Sequence, residues 1–274
     1  MWTLYDRLID GIDEDIIVDR VASGSSWTVV TAGEYCGLSA NIEGGRTAPD
    51  FPSFKGRPLK EIAELCKSWD FAEAAIGAAA VNAYYNSDKF LSSKALPANN
   101  TFDVYEELTA GKKVGMIGHF MHLEGILTKA DVYVIEKRPA ADEYPEAACE
   151  YLLPEMDFVF ITGSAFVNKT MPRLLELSKN AHTVIIGPST TMSDVLFDYG
   201  ADEVSGLMIT DPAAAMHTAV FNGHRNIFKC GSKLRLLKQK NPGDYSGIYF
   251  LSKQVLKTSF PPKPRPCEFF SVFF

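Results

Sequence analysis

The chain of 274 residues has few cysteines, no long apolar run and no surplus of positive charge. Its five cysteines are scattered without a CxxC pair, which is typical of reduced thiols in the cytoplasm rather than of a disulfide scaffold. The net charge of −7 argues against a nucleic-acid partner. No apolar segment reaches the roughly 18 residues of a membrane span, and the first residues lack the basic and apolar regions of a signal peptide. We therefore expect a cytoplasmic protein without a membrane or nucleic-acid partner.

Several catalytic and nucleotide-binding signatures are also missing. The sequence contains no P-loop and no Gly-x-Ser-x-Gly elbow. A GxGxxG fingerprint starting at Gly118 would need glycines where Phe120 and Leu123 stand, so NAD is not expected as a cofactor. His119 and His122 are three residues apart, but no matching set of His, Cys or Asp residues accompanies them. We therefore predict no preformed metal site.

The first hundred residues predict an α+β domain. Apolar runs separated by Gly/Ser-rich turns predict an antiparallel meander, and two helices follow it. The predicted strands are Ile16–Val18 leading to Val21, Trp27–Thr31 and Tyr35–Leu38, and the predicted helices are Pro58–Cys66 and Asp70–Tyr85. The polar stretch Asn86–Phe102 predicts an interdomain connection.

From Lys113 onward, continuous apolar strands alternate with helices, which predicts a parallel sheet covered on both faces. The predicted strands are Lys113–Ile117, Val132–Ile135, Phe158–Ile161, Thr183–Ile186, Glu203–Ile209 and Asn226–Phe228. The fold class is therefore α/β, with an α+β domain at residues 1–100 and a doubly wound parallel sheet at residues 101–240. A tail rich in proline and aromatic residues, residues 241–274, forms a third segment whose structure the sequence does not predict.

Ligands of an open parallel sheet bind outside the carboxyl ends of its strands. The residues that follow the predicted strands are therefore the candidate ligand-binding residues. They are Gly118, His119 and Phe120 after the first strand, Glu136 at the end of the second, Thr162, Gly163 and Ser164 after the third, and Gly187, Pro188, Ser189 and Thr190 after the fourth.

Each candidate role has a structural alternative. His119 is the best catalytic candidate because imidazole moves protons near neutral pH, and its alternative is a loop histidine bonded to a carbonyl. Glu136, 18 residues after Gly118, is placed to hold a ribose or a ring nitrogen, or is a solvated strand end. The hydroxyls near Ser164 and Thr190 suit an anionic group, or cap the following helices.

Asn82 lies on the small-residue face of the second helix, with Ala75, Ala78 and Tyr85. A buried amide there either cross-links a structural loop or reaches a ligand between the two domains. Asn168 and Lys169, beyond the third strand, are candidates to orient a substrate or balance its charge.

Several segments together resemble the heavy-metal chelation family, which pairs an enolase N-terminal-like domain with a Rossmann-like domain. The segments that carry this resemblance are the Ala/Gly-rich helix Asp70–Asn86, the strand and turn Val114–Phe120, the helix Thr170–Leu177 and the Gly187-Pro188 loop. The resemblance covers roughly Trp2 to Leu236 in the same order.

The resemblance implies an active site between the two domains and a condensation or hydrolysis of pterin-, flavin- or siderophore-like molecules. The first hypothesis is therefore an enzyme acting on such a metabolite, with His119 as general acid/base and Asn82 supplied by the first domain. The alternatives are a non-catalytic metal or metallophore binder and an S-adenosylmethionine-dependent methyltransferase. The expected cofactor is unidentified, with a nucleotide-like or S-adenosylmethionine-like ligand left open. The expected partner is a small, metal-chelating metabolite, and a homo-oligomer is also left open.

Overall fold

The structure is a computed structural model that describes residues 2–45, 49–98, 100–121, 123–221 and 224–239. Residues through Lys238 form one compact unit. Within the described ranges, no helix combines the length and apolar character needed to cross a membrane. The predicted tail, residues 241–274, lies outside the described residues, and the division near residue 100 stays a prediction.

The first part of the chain forms a small antiparallel sheet and three helices. The elements are α1 (Thr3–Asp10), β1 (Arg20–Ser23), β2 (Trp27–Ala32), β3 (Tyr35–Ala40), α2 (Leu59–Ala63) and α3 (Phe71–Tyr85), with 3-10 turns at Phe51–Phe54 and Glu64–Lys67. The strand order is β1-β2-β3, and both strand pairs are antiparallel. The predicted meander is therefore confirmed, whereas the likeness to an enolase N-terminal domain stays a prediction.

The first predicted strand, Ile16–Val18 leading to Val21, starts too early, because β1 begins at Arg20 and includes only Val21 of that run. The backbone N–H of Val18 donates to the carbonyl of Arg57, and the carbonyl of Val18 accepts from Gly56. This segment therefore pairs with the loop before α2 instead of extending β1.

Helix α3 packs unusually close to the small sheet. Its first turn is capped by Asp70, whose carboxylate accepts the N–H of Ala72. Gly37 on β3 faces the helix, and a Cβ at that position would lie 2.1 Å from the carbonyl oxygen of Ala79. The Ala-rich face of α3 and the missing side chain at Gly37 together permit this contact.

The described residues from Asp88 to Leu237 form an eight-stranded sheet and the helices that connect its strands. Its elements are α4 (Asp88–Leu91), β4 (Leu96–Pro97), α5 (Thr101–Tyr105), β5 (Lys113–Ile117), α6 (Glu124–Lys129), β6 (Asp131–Glu136), β7 (Tyr144–Pro145), α7 (Cys149–Leu152), β8 (Phe158–Thr162), α8 (Met171–Leu177), β9 (His182–Ile186), α9 (Val195–Asp198), β10 (Glu203–Ile209), α10 (Pro212–Val220) and β11 (Gly231–Leu237). Further 3-10 turns lie at Glu146–Ala148, Leu153–Glu155, Gly163–Phe166 and His224–Cys230.

The strand order of this sheet is β4-β11-β10-β9-β8-β5-β6-β7. The six strands from β10 to β7 are parallel. At the other end of the sheet, β11 pairs antiparallel with β10, and β4 pairs antiparallel with β11. The predicted doubly wound sheet is confirmed. The chain leaves β5 toward β6 and β7 and returns on the other side to β8, so the order reverses between β5 and β8. Ligands bind at such a reversal.

Two sequence-based assignments in this half are wrong. The stretch Asn86–Phe102 is more than a connection, since it contains α4 and β4, and β4 joins the sheet. The predicted strand Asn226–Phe228 lies in a 3-10 turn, and the strand follows at β11. The carbonyl of Cys230 accepts the N–H groups of Thr210 and Asp211, which ties the start of β11 to the end of β10.

The two sheets bury apolar surface against each other. Trp27, Val29 and Leu38 of the small sheet belong to one core cluster with Leu207 and Ile209 of β10. Burial of this kind contributes roughly 25 cal/mol per Å² of apolar surface, so separation of the sheets would be strongly unfavourable. The carboxyl ends of the parallel strands thus lie beside the antiparallel sheet.

Asn82 on α3 is a buried cross-link between the two sheets. Its side-chain amide donates to the carbonyls of Leu38 at 2.7 Å and Ser189 at 3.0 Å, and its oxygen accepts the hydroxyl of Thr191 at 2.6 Å. One turn later, Asn86 donates to the carbonyl of Thr190 and accepts the N–H of Met192, both at 2.9 Å. These bonds fasten α3 to β3 and to the loop after β9.

Replacement of Asn82 by alanine should lower the free energy of unfolding by about 2–4 kcal/mol, because it leaves several buried polar groups without partners. Urea unfolding of Asn82→Ala measures the change. The exposed Asn180→Ala is the matched control and should stay within about 0.5 kcal/mol of wild type. Equal stability of both variants would show that the cross-link is dispensable.

Candidate functional site

The turn after β5 places His119 at the reversal of strand order. Gly118 has a φ of +103°, and a Cβ there would lie 3.0 Å from the Thr162 side chain at the end of β8. Both observations favour glycine, because the left-handed region and the close approach each disfavour a side chain. The turn therefore brings His119 close to the loop after β8, as the sequence predicts.

His119 lies between two carboxylates. Its Nδ1 is 3.2 Å from Oε1 of Glu136, and its Nε2 pairs with Oε1 of Glu143. Each carboxylate is itself anchored, since Glu136 accepts the N–H of Lys137 at 3.0 Å and Glu143 accepts the N–H of Ala140 at 2.8 Å. The imidazole is 63% exposed, whereas the side chains of Glu136 and Glu143 are 23% and 12% exposed. A solvent-accessible imidazole is thus held by two shielded acids.

The two acids make the imidazole a stronger base. The hydrogen bond to Glu143, followed by the charge of Glu136, raises the pKa of His119 above its ordinary value, although partial burial opposes the effect. The N–H of Ala140, followed by His119, lowers the pKa of Glu143. Both shifts favour the protonated form of the imidazole and the ionised form of Glu143.

A cavity of about 480 Å³ opens on one side of His119 and is called the polar cavity, because charged side chains line it together with aliphatic ones. It lies over the ends of β5, β6 and β8, and its walls carry charges of both signs: Glu43, Glu136, Glu146, Lys137 and Arg138. Arg138 is ion-paired with Glu43, so the segment after β3 contacts the segment after β6 across the cavity. Cys149 also lines this cavity, and burial raises the pKa of its thiol to about 11.

An apolar cavity of about 310 Å³ lies on the other side of His119. Aromatic and aliphatic groups line it, namely Trp27, Phe102, Phe120, Met121, Leu207, Phe228 and Leu234. His119, Thr162 and Ser164 line both cavities. The two spaces therefore adjoin at the histidine.

The hydroxyls after β8 lie at this junction. The Thr162 Oγ1 is 3.1 Å from the Ser164 Oγ and accepts the N–H of Ser164, which is the geometry of a cap on the turn Gly163–Phe166. The capping alternative thus accounts for Thr162, while both hydroxyls also border the cavities. Gly163 permits contact with the next loop, since a Cβ there would lie 2.5 Å from the N of Thr190.

The loop after β9 contributes Gly187, Pro188 and Ser189 to the apolar cavity. The Ser189 hydroxyl accepts the N–H of Ala40 at 2.7 Å, which ties this loop to β3. Thr190 is fully buried and lines neither cavity, so its hydroxyl is not placed to bind a ligand there.

Asn82 likewise lies outside both cavities, and its contacts match the structural alternative that its sequence position left open. Asn168 lines the polar cavity, but Lys169 does not. The Lys169 ammonium donates to the carbonyl of Val167 at 2.6 Å, and burial lowers its pKa to about 8. His122 is outside the described residues. Among the residues that the structure does describe, no group of three or more His, Cys, Asp or Glu side chains is arranged to hold a metal ion.

Ten of the twelve predicted site residues line one cavity or both. The exceptions are Asn82 and Thr190. Sequence reasoning missed Glu143, which contacts His119 directly, and Trp27, which forms a wall of the apolar cavity. Glu143 lies in an acidic loop without periodicity, and only its charge could have drawn attention to it.

The fold and the site define an α/β protein with a histidine–carboxylate centre at the carboxyl edge of a doubly wound sheet. Two family models, both described as "Putative heavy-metal chelation", match residues 5–85 and residues 100–238. An uncharacterised protein of Methanocaldococcus jannaschii is 31% identical over 187 residues, which cover 64% of this chain and 70% of that protein. The chain belongs to the heavy-metal chelation family, as the sequence resemblance predicts.

Solved structures of the same family share the fold. A crystal structure of a protein of unknown function from Desulfitobacterium hafniense is 38% identical, has a TM-score of 0.83, and matches 87% of this chain and 99% of its own. Another, from Pyrococcus horikoshii, is 20% identical with a TM-score of 0.70 and matches 85% and 98% of the two chains. The second likeness concerns the fold alone.

Replacement of Glu143 by glutamine should lower the pKa of His119, because it removes the carboxylate that stabilises the imidazolium most. An NMR titration of the His119 ring proton measures this pKa. Glu146→Gln is the matched control, since Glu146 lines the same cavity without an ion pair to His119. An unchanged pKa in Glu143→Gln would contradict the assigned contact.

The same pair has a defined effect on stability. Folding raises the pKa of His119. The contribution of His119 to the free energy of unfolding is therefore complete below its pKa in the unfolded chain, about 6.5, and is lost as the pH rises through its pKa in the folded chain. The lowered pKa of Glu143 sets the opposite limit, since the contribution is also lost as the carboxylate becomes protonated in acid. The difference in free energy of unfolding between wild type and Glu143→Gln should therefore become smaller as the pH falls through the pKa of Glu143 and as it rises through the pKa of His119 in the folded protein.

Proposed function

We propose that the protein is an enzyme that condenses or hydrolyses a small metabolite used in heavy-metal chelation, with His119 as the proton-transferring group. The observation that carries this proposal is the contact of one exposed imidazole with two anchored carboxylates, at a point shared by two cavities. A carboxylate that orients an imidazole is a recurring arrangement in acid–base catalysis.

The geometry supports distinct roles for the two acids. The hydrogen bond to Glu143 is the largest cause of the raised pKa of His119, and Glu143 is the less exposed of the two acids. In this proposal Glu143 therefore orients the ring and stabilises the imidazolium. Glu136 approaches Nδ1 at the longer distance of 3.2 Å. A substrate group that displaces Glu136 gains access to Nδ1, where His119 donates a proton to a leaving group or removes one from a nucleophile. Thr162 and Ser164 border the reacting atoms.

The substrate class follows from the cavities and from the family. A pterin-, flavin- or siderophore-like molecule has a planar or apolar part and polar substituents, and combined spaces of about 480 and 310 Å³ lie in the size range of ligand pockets. The chelating group belongs to the metabolite in this proposal. A cytoplasmic location and a homo-oligomer remain part of the same proposal.

A second candidate is a non-catalytic metal or metallophore binder, which the family description favours. Equilibrium dialysis of the purified protein with a divalent metal, with and without a chelating metabolite, separates the two candidates. Tight uptake of the bare metal would favour the binder. Methyl transfer has less support, because the carboxylate of Glu136, which would hold a ribose, contacts His119.

The glutamine variant of His119 tests the enzyme directly. Wild type and His119→Gln are incubated with pterin, flavin and siderophore precursors, and products are followed by mass spectrometry. The variant should lose roughly 10²–10⁴ in rate, because a side chain that transfers a proton typically contributes that much. His217→Gln on α10 is the matched control, since His217 is exposed and lines neither cavity. Equal product formation by wild type and His119→Gln would refute the proposed role.

A further inference from the structure

The two cavities beside His119 differ in chemical character. Apolar groups line both cavities, but the polar cavity also has carboxylates and cationic side chains in its walls. Rings and aliphatic groups form most of the walls of the apolar cavity, together with the exposed Lys233. They adjoin at His119, Thr162 and Ser164. One ligand that fills both cavities must therefore pass the imidazole.

Aromatic rings that pack on one another form part of the wall of the apolar cavity. Phe102 is held between two other rings, with its centroid 5.4 Å from that of Phe120 and 5.3 Å from that of Phe160. Trp27 faces the cavity from the small sheet and is 4% exposed. Aromatic walls of this kind stack favourably on a flat guest.

Hydroxyls of the apolar cavity are already engaged by the protein. Ser205 donates to the buried carboxylate of Glu203 at 2.6 Å, and Ser189 accepts the N–H of Ala40 at 2.7 Å. A guest with many hydrogen-bonding groups would lose water there without full compensation. Lys233 also lines this space, and its ammonium lies 5.0 Å from the centroid of the Phe228 ring. A flat group without charge fits the space best, because rings and aliphatic groups form most of its walls.

The polar cavity favours the opposite kind of group. Glu146 offers negative charge and Lys137 offers positive charge, while Glu136 and Arg138 already pair with His119 and Glu43. A short arm with both an ammonium and a carboxylate finds partners of opposite sign in this space.

We infer that the site binds a two-part ligand, with a flat uncharged aromatic group against Trp27 and Phe102 and a charged arm in the polar cavity. The bond between the two parts lies beside His119. This inference rests on the proposed function, because it assigns His119 to the linking bond. It also makes Trp27 a residue that determines specificity.

Binding of β-naphthol, a flat probe without an arm, tests the apolar subsite. Fluorescence titration should show binding by wild type, and Trp27→Leu should weaken it about two- to tenfold through the lost stacking. Trp69→Leu, the same substitution at an exposed tryptophan, is the matched control and should bind as wild type does. Since Trp27 belongs to the core, Met121→Lys, which places a charge at the 45% exposed edge of the cavity, provides a second variant that should also weaken binding.

Binding of naphthylalanine, which adds an ammonium and a carboxylate, tests the two-part arrangement. It should bind more tightly than β-naphthol, and Lys137→Met should weaken naphthylalanine more than β-naphthol. Absence of β-naphthol binding, or equal affinity in wild type, Trp27→Leu and Met121→Lys, would overturn the inference. An equal loss of affinity for naphthylalanine and β-naphthol in Lys137→Met would also overturn the inference.

The two proposals fail in different ways. If His119→Gln turns over metabolites as wild type does, while the naphthalene probes behave as expected, the proposed reaction fails and the subsites stand. If His119→Gln is inactive and the probes do not bind in the apolar cavity, the enzyme stands and the two-part ligand is wrong.

Discussion

Two buried amides, Asn82 on α3 and Asn86 at its C-terminal end, hold the antiparallel sheet beside the carboxyl ends of the parallel strands. Asn82 and Asn86 bond to carbonyls, an N–H and a hydroxyl of the loop after β9, and Asn82 also bonds to β3. Hydrogen bonds in a buried, low-dielectric setting are directional and costly to break. They fix the position from which Trp27 forms a wall of the apolar cavity and Glu43 a wall of the polar one. Without them, the carboxyl edge of the large sheet would have neither cavity in its present form.

The positions of the strands were enough to predict which loops lie side by side at the carboxyl edge of the sheet. Apolar runs separated by helices place β5, β6 and β8 side by side, and the carboxyl ends of parallel strands meet at one edge. His119, Glu136 and Ser164 therefore come together although they are far apart in the chain. Phe120, which stands where a dinucleotide fingerprint would have glycine, lines the apolar cavity.

The remaining features depend on tertiary contacts that leave no pattern in the sequence. Glu143 reaches His119 from a loop without periodicity. The strand β11 was missed because Lys233 and Arg235 interrupt its apolar pattern, yet Arg235 is buried in an ion pair with Glu203. The role of Trp27 requires knowledge of how the two sheets pack. Local propensity could not supply any of these, because each is decided by a partner distant in the chain.

The central claim is that ligands bind around His119, and a crystal structure of the protein purified with its natural ligand tests it most directly. The account predicts ligand density that extends from the polar cavity into the apolar cavity, with an atom within hydrogen-bond distance of the imidazole. Density confined to another surface, such as the cleft between β1 and α10 lined by Phe51 and Phe221, with both cavities beside His119 empty, would contradict it.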